Sequence, residues 1–161
     1  MSSGPGAPVF MDAALLDAVS AAAGASPRRR KNHNFHPRDN AVCHRLLNAL
    51  EPDSYVPPHR HLDAEKDETF VVLRGRIGVV CFDHTGRVSA ARVLEPAAAV
   101  GVTLPAGTWH TLVALEAGTV VLEAKAGPFV PLTPDERARW APAEGEAGAG
   151  AFLEGLRALF R

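Results

Sequence analysis

The feature that most constrains the fold is a series of short apolar segments separated by turn residues, which begins at Ala41 and continues to about residue 125. Apolar segments of this length, bounded by Gly, Pro, Asp and Asn, are typical of an all-β sandwich or barrel. The pattern predicts strands near residues 42–49, 54–60, 67–74, 77–83, 88–94, 99–104, 109–115 and 119–125. Short strands joined by short turns in this number favour a jelly roll.

Four of the connections contain the residue types that tight hairpins require. They lie at Gly75, Asp83–Gly86, Pro105–Gly107 and Glu116–Gly118. Glycine tolerates positive φ angles, proline fixes φ near its turn value, and aspartate bonds to its own backbone. We therefore predict that each connection is a hairpin between two adjacent antiparallel strands.

The N-terminal part of the chain differs from this all-β region. Residues 1–8 are rich in Ser, Gly, Ala and Pro and are predicted to be disordered. Asp12 is predicted to cap a short helix, because Leu15, Leu16 and Val19 follow it at helical spacing. The helix is predicted to end near Gly24.

Changes in composition divide the chain into three parts. Residues 1–27 are a flexible lead with the N-terminal helix. Residues 28–132 are predicted to form the barrel, and residues 133–161 form a C-terminal segment. The barrel part opens with a polar stretch, residues 28–40, that is predicted to be extended or irregular. The C-terminal segment is predicted to contain a helical turn at 135–142 and an amphipathic helix from Phe152 to Phe160.

Length and charge narrow the classes of partner. The 161 residues suit a single domain, and 17 basic against 18 acidic residues leave a formal net charge of −1. This balance predicts neither a nucleic-acid nor a membrane partner. The basic run at residues 28–31 is interpreted as a neutralised surface run, and Cys43 and Cys81 as reduced thiols of the core. Because the N-terminus lacks a signal-peptide pattern, we expect a cytoplasmic location.

A pair of histidines in the second predicted strand carries the first chemical signal. Side chains at positions i and i+2 of a strand share a face, so His59 and His61 are predicted to point the same way, with Arg60 opposite. Two imidazoles on one face can bind one metal ion. Such a pair is weak evidence alone and requires further ligands nearby.

Glu68 and His110 provide the further candidate ligands. Glu68 heads an apolar strand, where an unpaired carboxylate is costly to bury and a metal ion is a favourable partner. Glu65, in the preceding loop, is the alternative carboxylate. The sequence thus predicts one divalent transition metal per chain, held by His59, His61, Glu68 and His110. This mixed nitrogen and oxygen set suits Fe, Mn, Ni, Co or Zn without choosing among them.

The order and spacing of these residues resemble the two sequence motifs of the cupin superfamily. The first motif is matched by His59, His61, Glu68 and Gly75. The second motif is matched by Pro105, Gly107 and His110. The sequence departs from the motifs at Asp53, Ala99 and Ala114, and in the longer loop between His61 and Glu68. The resemblance implies a metal-binding cupin jelly-roll barrel, and a homodimer as in many cupins.

The stretch from Arg30 to Gly145 is also similar to the WbuC family of cupin-fold metalloproteins, which is often found with bacterial O-antigen sugar genes. The matching segments are Asn32–His36, Arg45–Leu50, Tyr55–His61, Leu73–Arg76, Pro105–Thr111 and Trp140–Gly145. This resemblance implies a metal-binding cupin in a polysaccharide context, and it does not fix a reaction.

Five further residues are candidates for the pocket around the metal. His36 and Tyr55 are predicted to be catalytic, His36 as a general acid or base because histidine titrates in the range that such work needs. Asn34, Arg45 and Trp109 are predicted to bind the substrate, Arg45 as an anchor for an anionic group. Structural roles remain open as alternatives, notably core packing for Trp109 and a surface position for His36.

These features leave three functional hypotheses. The first is an enzyme, a metal-dependent isomerase or oxygenase-type cupin, that acts on a small oxygen-rich molecule such as a sugar or sugar nucleotide. The second is a non-catalytic module that binds or senses a small molecule through its metal. The third is a mainly structural metal site, which a closed four-coordinate zinc would indicate. Four protein ligands on a six-coordinate ion leave two open positions, and this favours the first two hypotheses.

Overall fold

The computed structural model describes residues 7–161. Its elements in chain order are α1 (Ala13–Ala25), β1 (Arg30–Asn34), β2 (Cys43–Leu50), β3 (Glu68–Arg74), β4 (Ile77–Phe82), β5 (Val88–Leu94), β6 (Gly101–Leu104), β7 (Trp109–Ala114), β8 (Thr119–Ala126) and α2 (Ala149–Ala158). The prediction of an all-β fold with a helix near each end is confirmed. Of the lead that was predicted to be disordered, residues 1–6 lie outside the described residues.

The strands form two antiparallel sheets, and most of the connections cross between them. Sheet A has the order β1-β2-β8-β3-β6, and sheet B has the order β5-β4-β7. Of the four connections predicted to be hairpins, only Asp83–Gly86 joins two paired strands, β4 and β5. The hairpins predicted at Gly75, Pro105–Gly107 and Glu116–Gly118 are wrong, because each of these turns passes the chain from one sheet to the other. Turn residues reverse the chain, but they do not decide which strand becomes the partner.

Gly75 shows what such a crossing requires of the backbone. Its φ angle is +75°, a conformation that glycine adopts without steric cost. A Cβ at this position would lie 2.9 Å from the Cα of Thr119. Glycine is therefore needed here for the change of sheet and for the close approach of β8.

The strand predicted at 54–60 does not form. Pro57 and Pro58 lack backbone N–H groups, so this segment cannot sustain a ladder, and it is extended with bridges only at His59. Conversely, the polar residues 30–34 form β1 at the edge of sheet A, although an extended or irregular connection was predicted there. The helical turn predicted at 135–142 is a shorter 3-10 turn at Pro134–Glu136.

Both helices pack on the outer faces of the sheets. The predicted cap of α1 is confirmed, since the Asp12 carboxylate accepts from Leu15 N at 3.0 Å. Side chains of α1 pack against the outer face of sheet A at Leu16, Val19, Ala23, Leu47, Ala49 and Val120. Side chains of α2 pack against the outer face of sheet B at Val80, Phe82, Val113, Leu153 and Leu156. The main core lies between the sheets and includes Leu50, Phe70, Val72, Ile77, Val79, Leu112 and Val121.

The surface features predicted from composition have mixed outcomes. The basic run is partly neutralised, because Arg28 and Arg30 both pair with Glu144, at 2.9 and 2.8 Å, and Arg29 pairs with Asp53 at 3.0 Å. Within residues 7–161, neither helix has the length and apolar character needed to cross a bilayer.

Both cysteines carry free thiols, Cys81 half-buried and Cys43 exposed. The prediction that Cys43 belongs to the core is wrong. This residue begins β2, and the residues of β2 that pack against α1 are Leu47 and Ala49, farther along the strand.

Candidate metal centre

His59 and His110 are placed side by side by their own backbone groups. His59 N donates to His110 O at 3.0 Å, and His110 N donates to His59 O at 2.9 Å. This antiparallel bridge brings the extended segment that contains His59 against the start of β7. The two imidazole centroids consequently lie 4.6 Å apart.

The turn at residues 105–107 bonds both to His61 and to the residue before β3, and so holds them beside His59 and His110. Gly107 N donates to His61 O at 2.7 Å, and Ala106 N donates to the Asp67 carboxylate at 2.8 Å. Glu68, the next residue, is only 2% exposed. The loop that precedes Glu68 is thereby closed against the Pro-x-Gly turn, which brings all four predicted ligands together.

Glu68 lies between two of the imidazoles. Its Oε1 is 3.1 Å from His61 Nε2, and its Oε2 is 3.0 Å from His110 Nε2. Glu65, the alternative carboxylate, is exposed in the loop. The geometry therefore assigns the carboxylate position in this cluster to Glu68.

Hydrogen bonds assign the tautomers of two histidines. His59 Nδ1 is 3.0 Å from the carbonyl of Pro57, and His110 Nδ1 is 2.9 Å from the carbonyl of Thr108. A carbonyl oxygen only accepts, so each Nδ1 carries the proton, and in the neutral ring each Nε2 presents a lone pair. Burial, reinforced by the neighbouring His110, lowers the pKa of His59 to about 3, which keeps this ring neutral at pH 7.

With His110 neutral, its Nε2 and Glu68 Oε2 consequently present lone pairs to each other at 3.0 Å. His61 Nε2 and Glu68 Oε2 are buried with no hydrogen-bond partner. Ligand atoms of His59, Glu68 and His110 all lie within 4.8 Å of one another. Ligands about 2.1 Å from a common ion are themselves separated by roughly 3–4 Å, so a small contraction around a divalent cation satisfies these atoms. The residues fit a metal ion.

A buried charge network extends from this cluster along β8. Lys125 Nζ is 3.0 Å from Glu68 Oε1 and 2.6 Å from Glu123 Oε1, and the Asn48 amide donates to the other oxygen of Glu123. Burial acts to raise the pKa of Glu68, but hydrogen bonds that His110 and His61 donate when protonated, together with the Lys125 ammonium, outweigh it and hold the pKa well below its usual range. For Lys125, burial acts to lower the pKa, but Glu123 and Glu68 outweigh it and raise the pKa above its usual value.

Sequence reasoning missed Glu123 and Lys125, although a signal was present. Both residues share a face of β8 with Val121 of the core, because they lie at alternate positions of a largely apolar strand. In the sheet, Lys125 lies directly opposite His44 on one side and Glu68 on the other. Charged residues at the inward positions of an apolar strand indicate a functional interior.

The four candidate ligands His59, His61, Glu68 and His110, called the metal cluster from here on, lie in the wall of a cavity of about 760 Å³. This volume is within the range of small-molecule sites. Apolar side chains of Leu50, Phe70 and Leu112 line one part of the cavity, and the segment 128–132 lines another. The cavity therefore offers a metal cluster, an apolar surface and several charged groups to a small ligand.

The two residues predicted to be catalytic lie outside this wall. The His36 ring stacks on His44 with centroids 3.9 Å apart, and its Nδ1 either donates to Arg45 O or accepts from Arg45 N, according to the tautomer. The Tyr55 hydroxyl donates to the Pro142 carbonyl at 2.8 Å. Both side chains have structural partners, and their catalytic roles stay predictions without support from this geometry.

The three residues predicted to bind substrate also lie outside the wall. Arg45 and Asn34 are exposed on β2 and β1. The Arg60 guanidinium lies over the Trp109 ring, with its Cζ atom 4.4 Å from the centroid of that ring. Strand alternation explains two of the three positions, since Arg45 and Trp109 adjoin the inward residues His44 and His110 and so point the opposite way.

The chain is similar to known proteins at the levels of family and fold. A family model described as "Domain of unknown function (DUF6016)" matches residues 11–94, just over half of the chain. No curated protein matches the chain in sequence.

Among solved structures, KdgF from Halomonas sp. is 18% identical, with a TM-score of 0.50 over 63% of this chain and 82% of that one. The capsular polysaccharide assembling protein CapF from Staphylococcus aureus is 18% identical, with a TM-score of 0.52 over 66% of this chain and 29% of that one. These neighbours have the cupin fold, and at this identity the likeness shows the fold alone.

Proposed function

We propose that this chain, which belongs to the DUF6016 family, is a metal-dependent cupin whose cavity binds a small oxygen-rich molecule at the metal. One observation carries the proposal. His61 Nε2 and Glu68 Oε2 are buried without a hydrogen-bond partner, in the wall of a cavity large enough for a small ligand. A divalent cation supplies the positive charge that these acceptors lack.

In this proposal, His59, His61, Glu68 and His110 hold the ion. The metal supplies Lewis acidity and a template for the oxygen atoms of a ligand. The carbonyls of Pro57 and Thr108 hold two of the imidazoles in the tautomer that ligation needs. Phe70 and Leu112 give the adjoining cavity wall an apolar surface that excludes water from a bound ligand.

A carbohydrate is the proposed class of ligand. Sugars and sugar nucleotides present adjacent oxygens that two open positions on an ion can accept. The likeness to CapF, a capsular polysaccharide assembling protein, and the WbuC-like segments of the sequence support this class. Whether the bound molecule is transformed, as by an isomerase or oxygenase-type cupin, is decided by a turnover assay on the loaded protein.

The proposal is tested by the metal content of untagged protein purified without chelator. Wild type is compared with Glu68→Gln and with the matched control Glu65→Gln. We expect about one transition-metal ion per chain in wild type and in the exposed control, and a large loss in Glu68→Gln. Equal metal content in Glu68→Gln and wild type would contradict the assigned ligand set, and wild type without metal would contradict the proposed function.

A further inference from the structure

The charge of the cavity wall differs in sign from the charge of the whole chain. The wall contains six lysine or arginine side chains, namely Arg28, Arg30, Lys31, Lys66, Lys125 and Arg137. Only three acidic side chains, Glu68, Glu123 and Glu144, line it, whereas the chain has a formal net charge of −1. Positive charge is therefore concentrated where a ligand would bind, which raises the local concentration of anions.

Lys66 differs from the other cations of this wall by its burial. Its residue is only 7% exposed, and its Nζ donates to the carbonyl of Pro128 at 3.0 Å. Among residues 7–161, no carboxylate lies within ion-pair distance of this ammonium. Burying a charged group is costly unless it is paired, so the position favours an anionic partner from outside the chain.

Lys66 and Lys125 lie at the same end of sheet A as the metal cluster. Lys66 precedes Glu68 by two residues, and Glu68 lies directly opposite Lys125 in the β3–β8 ladder. Pro128, the partner of Lys66, follows shortly after Lys125 at the end of β8. Two ammonium groups therefore flank the metal cluster within one cavity wall.

We propose that the cavity selects ligands that carry an oxyanion, a carboxylate or a phosphate, and that Lys66 is the principal residue that binds it, with Lys125 beside it. The selection of a small oxygen-rich ligand at the metal rests on the proposed function above, but the role of Lys66 does not. Lys125 is already shared by Glu68 and Glu123, so Lys66 is the buried ammonium of the wall that is left for an anionic ligand.

Three hexoses that share a ring serve as probes: glucose, glucuronate and glucose 6-phosphate. Binding is measured by titration calorimetry on metal-loaded and metal-stripped protein. The variants are Lys66→Met, Lys66→Arg and the control Lys31→Met, which removes an exposed cation of the same wall. We expect at least one acid to bind about tenfold or more tightly than glucose, because a hydrogen bond to a charged group is stronger than one between neutral groups.

Lys66→Met should remove this preference, while Lys66→Arg and Lys31→Met retain it. The proposal is overturned if neither acid binds more tightly than glucose in the millimolar range, or if Lys66→Met keeps the preference. The identity of the tighter acid distinguishes a carboxylate from a phosphate ligand. Metal content separates the two proposals. A loaded protein without acid preference refutes only this inference, whereas wild type that purifies without metal and still shows a Lys66-dependent acid preference refutes only the metal proposal.

Discussion

Replacing His110 by alanine should abolish the stabilisation of this protein by metal. The His110 ring is buried, its Nε2 lies 3.0 Å from Glu68, and its Nδ1 bonds to Thr108. The substitution therefore removes one nitrogen ligand and leaves the carbonyl of Thr108 without this donor. His84, exposed in the β4–β5 turn, is the matched control, since His84→Ala removes an imidazole without touching the cluster.

The expected size follows from linkage. Metal at about 100 times its Kd stabilises the wild-type fold by about 2.7 kcal/mol, and each kcal/mol shifts the Tm of a domain of this size by about 2–4 °C. The wild-type Tm should therefore rise by about 5–11 °C. If loss of His110 weakens affinity about 100-fold, the same metal concentration stabilises the variant by about 0.4 kcal/mol, a shift of only about 1 °C.

The measurement is calorimetric unfolding of untagged, chelator-stripped protein with and without added metal. Without metal, His110→Ala should also unfold a few degrees earlier than wild type, because a lost hydrogen bond and a cavity together cost about 1–3 kcal/mol. His84→Ala should keep the full metal-dependent shift. A His110→Ala variant that is stabilised by metal as strongly as wild type would refute the assignment of His110 as a ligand.

The remaining predictions concern pH and three other positions. The folded pKa of His59, about 3, lies below the unfolded value of 6.5, so the unfolded state binds more protons between these values. The low pKa of Glu68 acts in the same direction below its ordinary value of 4.5. Metal-free protein should therefore lose stability as pH falls from 6.5, which denaturant titrations at pH 7 and pH 5 would measure, and equal stabilities would contradict it. Tyr55→Phe should cost about 0.5–1.5 kcal/mol and leave metal content and ligand affinity unchanged, whereas a selective loss of turnover would restore its catalytic role. Gly75→Ala should destabilise by more than about 1 kcal/mol, while Gly155→Ala, in α2 with open space around it, should stabilise by up to about 1 kcal/mol, both measured by denaturant unfolding.

The metal cluster could be predicted from the sequence because its signals are local. The side chains of His59 and His61 follow the alternation of extended backbone, and this holds in the structure even though Pro57 and Pro58 prevent a regular strand. Glu68 could be identified because it is a carboxylate at the start of an apolar strand. Such features depend on neighbours in the chain and not on the packing of distant segments.

The wider pocket could not be predicted in this way. Arg45 and Trp109 were selected by residue type, but a shift of one position along a strand places each on the outer side of the wall. Lys66 sits in a loop whose path depends on the crossing from one sheet to the other, which local turn residues do not determine. Only Glu123 and Lys125 carried a readable signal, as inward positions of β8.

The packing of α1 and α2 on the outer faces of the two sheets restricts how two copies of this chain can meet. Sheet-to-sheet stacking would require one helix to leave its site and expose the side chains it covers, such as Leu47 or Val113. The outermost strands of the sheets are β1 and β6 in sheet A and β5 and β7 in sheet B, and the His59 segment bridges β7 at His110. Of these, β5 is exposed along most of its length. A homodimer of the intact chain would therefore have to join through strand edges or helix surfaces.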